Sequence, residues 1–352
     1  MTQVLGALRF PLVQGIDIEP VSKWLMANIP GAVAPFTFDL IAGGRSNLTF
    51  MVAGSDGAQF VLRRPPLGHV LATAHDMARE FRIISAVGQT NVPVPPALGL
   101  CTDEAVNGEP FYVMGFVAGT VLDSPERAAA LSNDLRVSAS EHLIDVLADL
   151  HAVDVDEVGL GDLAKREGYV ARQVRRWSTQ WSQSKTRELP AIDEVARLLG
   201  ERLPEQRGVS IAHGDYRFGN CLTNLTTGRI AAVLDWELCT LGDPLADVGY
   251  LGVYWFNGDL AASRANDPTP AGGFLTYEDL LHRYALRTGR DLSGIGYYVA
   301  FSCWRLAVIS EGVYSRYLHG AMGSQEGVEF ETFKLGTENL AVRALEAMRN
   351  LP

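Results

Sequence analysis

One short stretch of this chain gathers side chains whose oxygens could do chemistry. His213-Gly214-Asp215-Tyr216-Arg217-Phe218-Gly219-Asn220 sets a carboxylate and an amide five residues apart in a polar loop. Fifteen residues after Asn220, the apolar run Ile230-Ala231-Ala232-Val233-Leu234 ends in Asp235-Trp236-Glu237. A carboxylate can take a proton from a hydroxyl, and an amide oxygen with a second carboxylate is the sparse oxygen set that magnesium accepts. A loop whose Asp and Asn only cap turns would use the same residue types. That alternative leaves unexplained why an apolar strand delivers another carboxylate at its exit.

The elements that must position these groups fall into two halves. In the first, a helix is expected from Ile18 to Asn28, capped by Asp17 and ended by Pro30-Gly31. Strands are expected over Phe36 to Ala42, Asn47 to Ala53 and Gln59 to Arg63, joined by turns at Gly43-Gly44-Arg45-Ser46 and Gly54-Ser55-Asp56-Gly57, which makes an antiparallel meander. A helix from Thr73 to Val87 follows, with Met77, Phe81 and Ile84 on its apolar side, then strands Ala97 to Thr102 and Pro110 to Val117 around a turn at Asn107-Gly108. Beyond Leu131 the pattern turns helical, over Asp134 to His151, Leu163 to Gln183 and Ile192 to Leu203. Short strands at Val209 to Ala212 and Ile230 to Leu234 flank the polar loop. Helices are then expected over Asp243 to Trp255, Tyr277 to Thr288, Tyr297 to Tyr314 and Phe330 to Arg349.

The H-x-D-x-x-x-x-N spacing matches the kinase catalytic loop. Together, HGDYRFGN and VLDWELCTLGDPLADVGYL resemble the aminoglycoside phosphotransferase and choline-kinase-like superfamily, in particular the branch related to the kinase-like domains fused to acyl-CoA dehydrogenases. The resemblance carries recognisable motifs from about Asp17 to Tyr254. It implies an α+β, protein-kinase-like two-lobed fold, with a small five-stranded antiparallel N-lobe over 1–117 that binds nucleotide and a large, mainly helical C-lobe over 118–352. The C-lobe would hold the catalytic loop, the metal site and the acceptor-binding helices. Asp215 is then expected as the catalytic base, and Asn220 and Asp235 as magnesium ligands. Glu237 stands where D-F-G has its glycine. Asp247 is expected to brace the catalytic loop, Asp243 to cap a helix, and His151 to satisfy carbonyls at a helix end.

In the first half, the likeness assigns Gly43, Gly44 and Ser46 to a phosphate-covering turn. Arg63 takes the place of the strand lysine, with Arg64 as its competitor, and Glu80 on the next helix is its matching partner. Tyr112-Val113-Met114-Gly115-Phe116-Val117 resembles the hinge, with Met114 lining the adenine pocket and the backbones of Gly115 and Val117 reading its edge. The activity implied is magnesium-dependent transfer of the γ-phosphoryl group of ATP, or GTP, to a hydroxyl of a small molecule such as a hydroxyacyl-CoA. An aminoglycoside-type antibiotic kinase and a kinase-like nucleotide-binding regulator without turnover are the alternatives.

Only seven residues separate Asp235 from Asp243, which leaves no platform for an extended peptide and favours a small acceptor. Arg172, Arg175, Arg176, Trp177 and Trp181 share a helix that suits an anionic acceptor, or has core tryptophans and solvated arginines. The net charge of −11 argues against nucleic acid as a partner. The apolar runs are too short to span a membrane, and the N-terminal residues carry no basic leader, so no signal peptide is expected. Cys101, Cys221, Cys239 and Cys303 lie far apart with no C-x-x-C pair, which points to buried free thiols in a reducing cytoplasm. A homodimer is left open.

Overall fold

The computed structural model describes residues 13–42, 47–67, 76–255, 267–319 and 331–351. The turn Gly43-Gly44-Arg45-Ser46 and the start of the helix expected from Thr73 lie outside them. The chain divides into two compact units, Met1–Ala118 and Gly119–Pro352.

The first unit runs α1 (Ile18–Asn28), β1 (Thr37–Ala42), β2 (Leu48–Ala53), β3 (Gln59–Arg64), α2 (Met77–Val87), β4 (Ala97–Cys101), a one-turn α3 (Glu104–Asn107) and β5 (Phe111–Gly115). The strands form one antiparallel sheet in the order β1-β2-β3-β5-β4. Side chains alternate across a strand, so Phe50 and Val52, Phe60 and Leu62, and Phe111 and Val113 share one face and pack with Val21 and Leu25 of α1 and with Ile29 just after it. Each such large side chain contributes roughly 1.5–3 kcal/mol on burial. The opposite face carries the polar group that matters: Arg63 stands in register between Thr49 of β2 and Tyr112 of β5. Met77, Glu80, Ile83, Ile84 and Val87 are the buried face of α2. The expected cap of α1 is corrected. The Asp17 side chain makes no capping bond, and its backbone N–H donates instead to Asn107 Oδ1 at 2.8 Å.

The second unit contains β6 (Thr120–Val121), a one-turn α4 (Pro125–Ala128), α5 (Asn133–Ala152), α6 (Tyr169–Ser184), α7 (Pro190–Glu201), β7 (Ser210–Ala212), β8 (Cys221–Thr223), β9 (Ile230–Val233), β10 (Thr240–Gly242), α8 (Leu245–Val253), α9 (Tyr277–Thr288), α10 (Ile295–Leu318) and α11 (Glu331–Arg349). β6, β8 and β9 form one small sheet, and β7 pairs with β10. α10 is buried around much of its circumference, from Tyr297 to Tyr314, as a helix at the centre of a bundle must be. Among the described residues no helix is long and apolar enough to cross a membrane.

α6 begins at Tyr169, after Gly168 in the left-handed conformation, rather than at Leu163. Its Trp181 is buried and donates to Asp193 Oδ1 at 2.8 Å, whereas Trp177 is half-buried with the exposed Arg176 over its ring, so the core-tryptophan arrangement holds for Trp181. All four cysteines are buried free thiols.

Candidate active site

β7 hands the chain to the loop His213–Arg217, a 3-10 turn over Phe218–Asn220 leads into β8, and β8 pairs with β9. The loop can fold this tightly because Gly214 adopts φ +86°, and a Cβ there would meet the Leu238 carbonyl oxygen at 2.9 Å. Its entry is held by Asp247 of α8. One carboxylate oxygen accepts the His213 N–H at 2.6 Å, and the other accepts the Gly214 N–H at 2.8 Å. The His151 ring adds a contact at 3.3 Å, and its other nitrogen meets the Tyr284 hydroxyl at 2.7 Å. Burial alone would raise the Asp247 pKa, but the bond from His151 and the backbone donors outweigh it and hold the carboxyl below its ordinary range. Asp243, also buried, accepts from Arg207 N, Leu245 N and the Tyr298 hydroxyl.

Asp215, one-fifth exposed, sits at the crest of the loop. Its Oδ2 accepts from Asn220 Nδ2 at 2.7 Å, and the same nitrogen donates to the Asp215 carbonyl at 2.8 Å. With the amide nitrogen committed twice, the Asn220 oxygen is the end left for another partner. Asp215 Oδ1 accepts from Arg217 Nε at 3.3 Å and, in a shorter contact, from the Tyr250 hydroxyl. Arg217 lies over the Tyr254 ring, 4.9 Å from its centroid. Burial works against the Arg217 charge, but Asp215 more than compensates and raises its pKa.

Asp235 leaves β9 in the left-handed conformation at φ 64°, the one non-glycine with positive φ among the described residues. Such a backbone costs on the order of 1 kcal/mol or more and persists only where neighbours fix it. The fixing bonds are to Leu234, whose N–H donates to the Asn220 carbonyl at 2.8 Å and whose carbonyl meets His213 Nε2 at 2.9 Å. His213 Nδ1 in turn accepts the Asp215 N–H at 3.2 Å, which sets the proton on Nε2. One buried imidazole thus joins the turn that bears Asp235 to the loop that bears Asp215, and it packs on Trp236 at 4.8 Å. The donor set of one amide oxygen and one carboxylate fits magnesium, which retains waters and substrate phosphates instead of a full protein cage. Among the described residues no cluster of three or more His, Cys, Asp or Glu suited to a metal occurs.

In the sheet unit, Arg63 Nε pairs with Glu80 Oε2 at 3.0 Å. Glu80 is buried and also accepts from Asn47 Nδ2 at 2.8 Å and the Tyr112 hydroxyl at 3.1 Å. Arg64 turns away, with its guanidinium on the Gly15 and Pro65 carbonyls. Met114 is buried in β5 opposite Val61. The Gly115 N–H donates to the Pro96 carbonyl at 2.8 Å. Val117 is half-buried beyond the end of β5. Gly43, Gly44 and Ser46 fall outside the described residues. Sequence reasoning missed Tyr250, Arg305, Asn47 and Tyr112. Tyr250 had a readable signal, since it follows Asp247 by three residues and so shares its helix face.

A five-stranded antiparallel sheet with a strand-cation to helix-carboxylate pair, followed by a helical unit with this loop, defines a kinase-like phosphotransferase fold. The chain belongs to the phosphotransferase enzyme family, whose model matches residues 37–285. It is 36% identical over 286 residues to acyl-CoA dehydrogenase family member 10 of Mus musculus, covering 80% of this chain and 26% of that protein. It is 31% identical to the Homo sapiens acyl-CoA dehydrogenase family member 11, covering 89% of this chain and 41% of that one. The chain therefore spans less than half the length of these relatives. A Ralstonia eutropha protein provisionally named an aminoglycoside phosphotransferase superposes with a TM-score of 0.80 at 31% identity, covering 96% of this chain and 99% of that one. The spectinomycin phosphotransferase solved with ADP and spectinomycin shares the fold alone, with a TM-score of 0.61, 14% identity and coverage of 96% and 99%.

Proposed function

We propose that this protein transfers the γ-phosphoryl group of ATP, with magnesium, to a hydroxyl of a small-molecule acceptor. The observation that carries this reading is the pairing of Asp215 with Asn220. The amide nitrogen steadies the carboxylate and the amide oxygen is left for a cation.

Asp215 would receive the proton of the attacking hydroxyl, and Asn220 and Asp235 would hold magnesium. When bound, the cation supplies charge neutralisation along the phosphates. Arg63, kept extended by Glu80, would contact the phosphates, and Met114 with the backbones of Gly115 and Val117 would line the adenine site. Gly43, Gly44 and Ser46 would cover the phosphates. Most of the rate enhancement then comes from positioning and preorganised charge.

Two observations support an anionic or acyl-carrier acceptor such as a hydroxyacyl-CoA. Arg217 places a guanidinium beside Asp215, and the relatives named acyl-CoA dehydrogenases contain a region like this chain. A polycationic aminoglycoside would meet that guanidinium, so antibiotic phosphorylation ranks second. A regulator without turnover ranks third, because it has no use for Asp215, Asn220 and Asp235 together. A cytoplasmic enzyme without nucleic-acid or membrane partners, alone or as a homodimer, is the corresponding setting.

The test is acceptor-dependent ADP release over a panel of hydroxyacyl-CoAs, sugars, amino alcohols and aminoglycosides, run on the unaltered chain and on Asp215→Asn. Transfer lost in Asp215→Asn with ATP binding retained supports the enzyme. Equal rates in the two proteins would remove the assignment.

A further inference from the structure

The loop itself accounts for only part of the crowding on one side of Asp215. Among the described residues, Oδ1 accepts from the Tyr250 hydroxyl and from Arg217 Nε, whereas Oδ2 accepts from Asn220 Nδ2 alone. An ionised carboxylate offers about two acceptor positions per oxygen. Oδ1 is therefore full and Oδ2 has one position left.

Tyr250 is well placed to keep it so. It lies on α8 three residues after Asp247, so the helix that braces the loop entry also presents the phenol to the crest. Its ring is held from the far side by Arg305 of α10, whose guanidinium lies 4.6 Å from the ring centroid. The same guanidinium donates to the Gly214 carbonyl at 2.6 Å, one peptide before Asp215. Arg305 is buried, and a buried cation stacked on a ring and bonded to a carbonyl is a fixed object. Burial and the neighbouring Asp215 charge raise the Tyr250 pKa well above its ordinary value, so the phenol is a donor at every physiological pH.

We propose that Tyr250, backed by Arg305, is a positioning residue that saturates Asp215 Oδ1 and thereby assigns Oδ2 as the oxygen that meets the acceptor hydroxyl. The proposal rests on the phosphotransferase reading above. In the step it describes, the acceptor O–H bond breaks and its proton passes to Oδ2. The acceptor oxygen bonds to the γ-phosphorus as the bond to the β–γ bridging oxygen breaks, and that electron pair leaves with ADP. With Tyr250 in place, the carboxylate cannot rotate to offer Oδ1 instead.

The experiment is a double-mutant cycle with Mg·ATP as donor and, in separate runs, water or 3-hydroxybutyryl-CoA as acceptor. Tyr250→Phe keeps the ring under Arg305 and removes only the hydroxyl. It is expected to lower kcat roughly tenfold or more while the KM for Mg·ATP stays the same, as for loss of a hydrogen bond to a charged group. Added to Asp215→Asn, it should cost nothing further, since a residue that acts through Asp215 has nothing left to act on. Arg217→Met, which removes the other Oδ1 donor, provides the same split if Tyr250→Phe does not fold. An unchanged kcat, a parallel rise in KM, or full additivity with Asp215→Asn overturns the proposal. Equal hydrolysis by the unaltered chain and Asp215→Asn would instead remove the phosphotransferase roles themselves.

Discussion

Glu80 in the sheet unit and Asp247 in the helical unit are both almost fully buried carboxylates, and they differ in their partners. Glu80 is met by the side chains of Arg63, Asn47 and Tyr112. Asp247 is met by two backbone N–H groups and one imidazole. Side-chain partners can rotate to follow a ligand; backbone partners cannot move without the loop. The first arrangement suits the adjustable phosphate-contacting cation proposed for Arg63, and the second suits a loop held in one conformation.

The largest expected effect lies on the loop that Asp247 holds. Asp215→Asn should lower transfer by roughly 10²–10⁴-fold with little change in melting temperature, measured by coupled ADP release. Asp247→Ala should do something different and cost about 3–5 kcal/mol of stability in a urea titration, because two backbone donors and His151 lose a buried partner. A near-normal midpoint would break the comparison. Glu80→Gln should raise the KM for Mg·ATP roughly tenfold and move the melting temperature by only a few degrees, since the one amide oxygen still accepts from Asn47 or from Tyr112 but the side chain no longer holds the Arg63 charge. If it instead unfolds the chain, Glu80 is as rigid a brace as Asp247.

The smallest effect is one of pH. The Asp247 carboxyl has a folded-state pKa below its unfolded value of about 3.9, so its contribution to stability is present above that value and fades as pH falls through the folded one. Asp247→Asn should flatten that acid limb, as read by circular dichroism between pH 5 and pH 2 on the order of the span expected for a depressed carboxyl.

Much of the fold was legible where local chemistry is decisive. α1 and α9 run from Ile18 to Asn28 and from Tyr277 to Thr288 as read, the first ended by Pro30-Gly31 and the second opened by the Thr276 capping box. The meander was legible because short apolar strands of six residues are bounded by glycine-rich turns. β6, β8 and β10 were not, since strands of two or three residues are too short to show a period. The spacing of Asp215, Asn220 and Asp235 showed in the sequence because one loop and one strand exit carry all three. Arg305 did not, because it reaches the loop from 91 residues away, and Tyr250, 35 residues from Asp215, was overlooked although its spacing from Asp247 put it on the bracing face of α8. Arg63 and Arg64 were equal candidates for the helix carboxylate in sequence, and register separates them, setting Arg63 against Glu80 of α2 and Arg64 toward Gly15. Asp17 looked like a cap by composition alone, and its backbone found Asn107 from α3 instead.

The concealment of every cysteine has a practical consequence. A chain whose four native thiols are all shielded offers a silent background for maleimide labelling. Two thiols engineered at exposed sites, one before residue 118 and one after, would carry a donor and acceptor dye without removing any native residue. Energy transfer between them, with and without added Mg·ATP, would then test whether the distance between the two labelled sites depends on nucleotide.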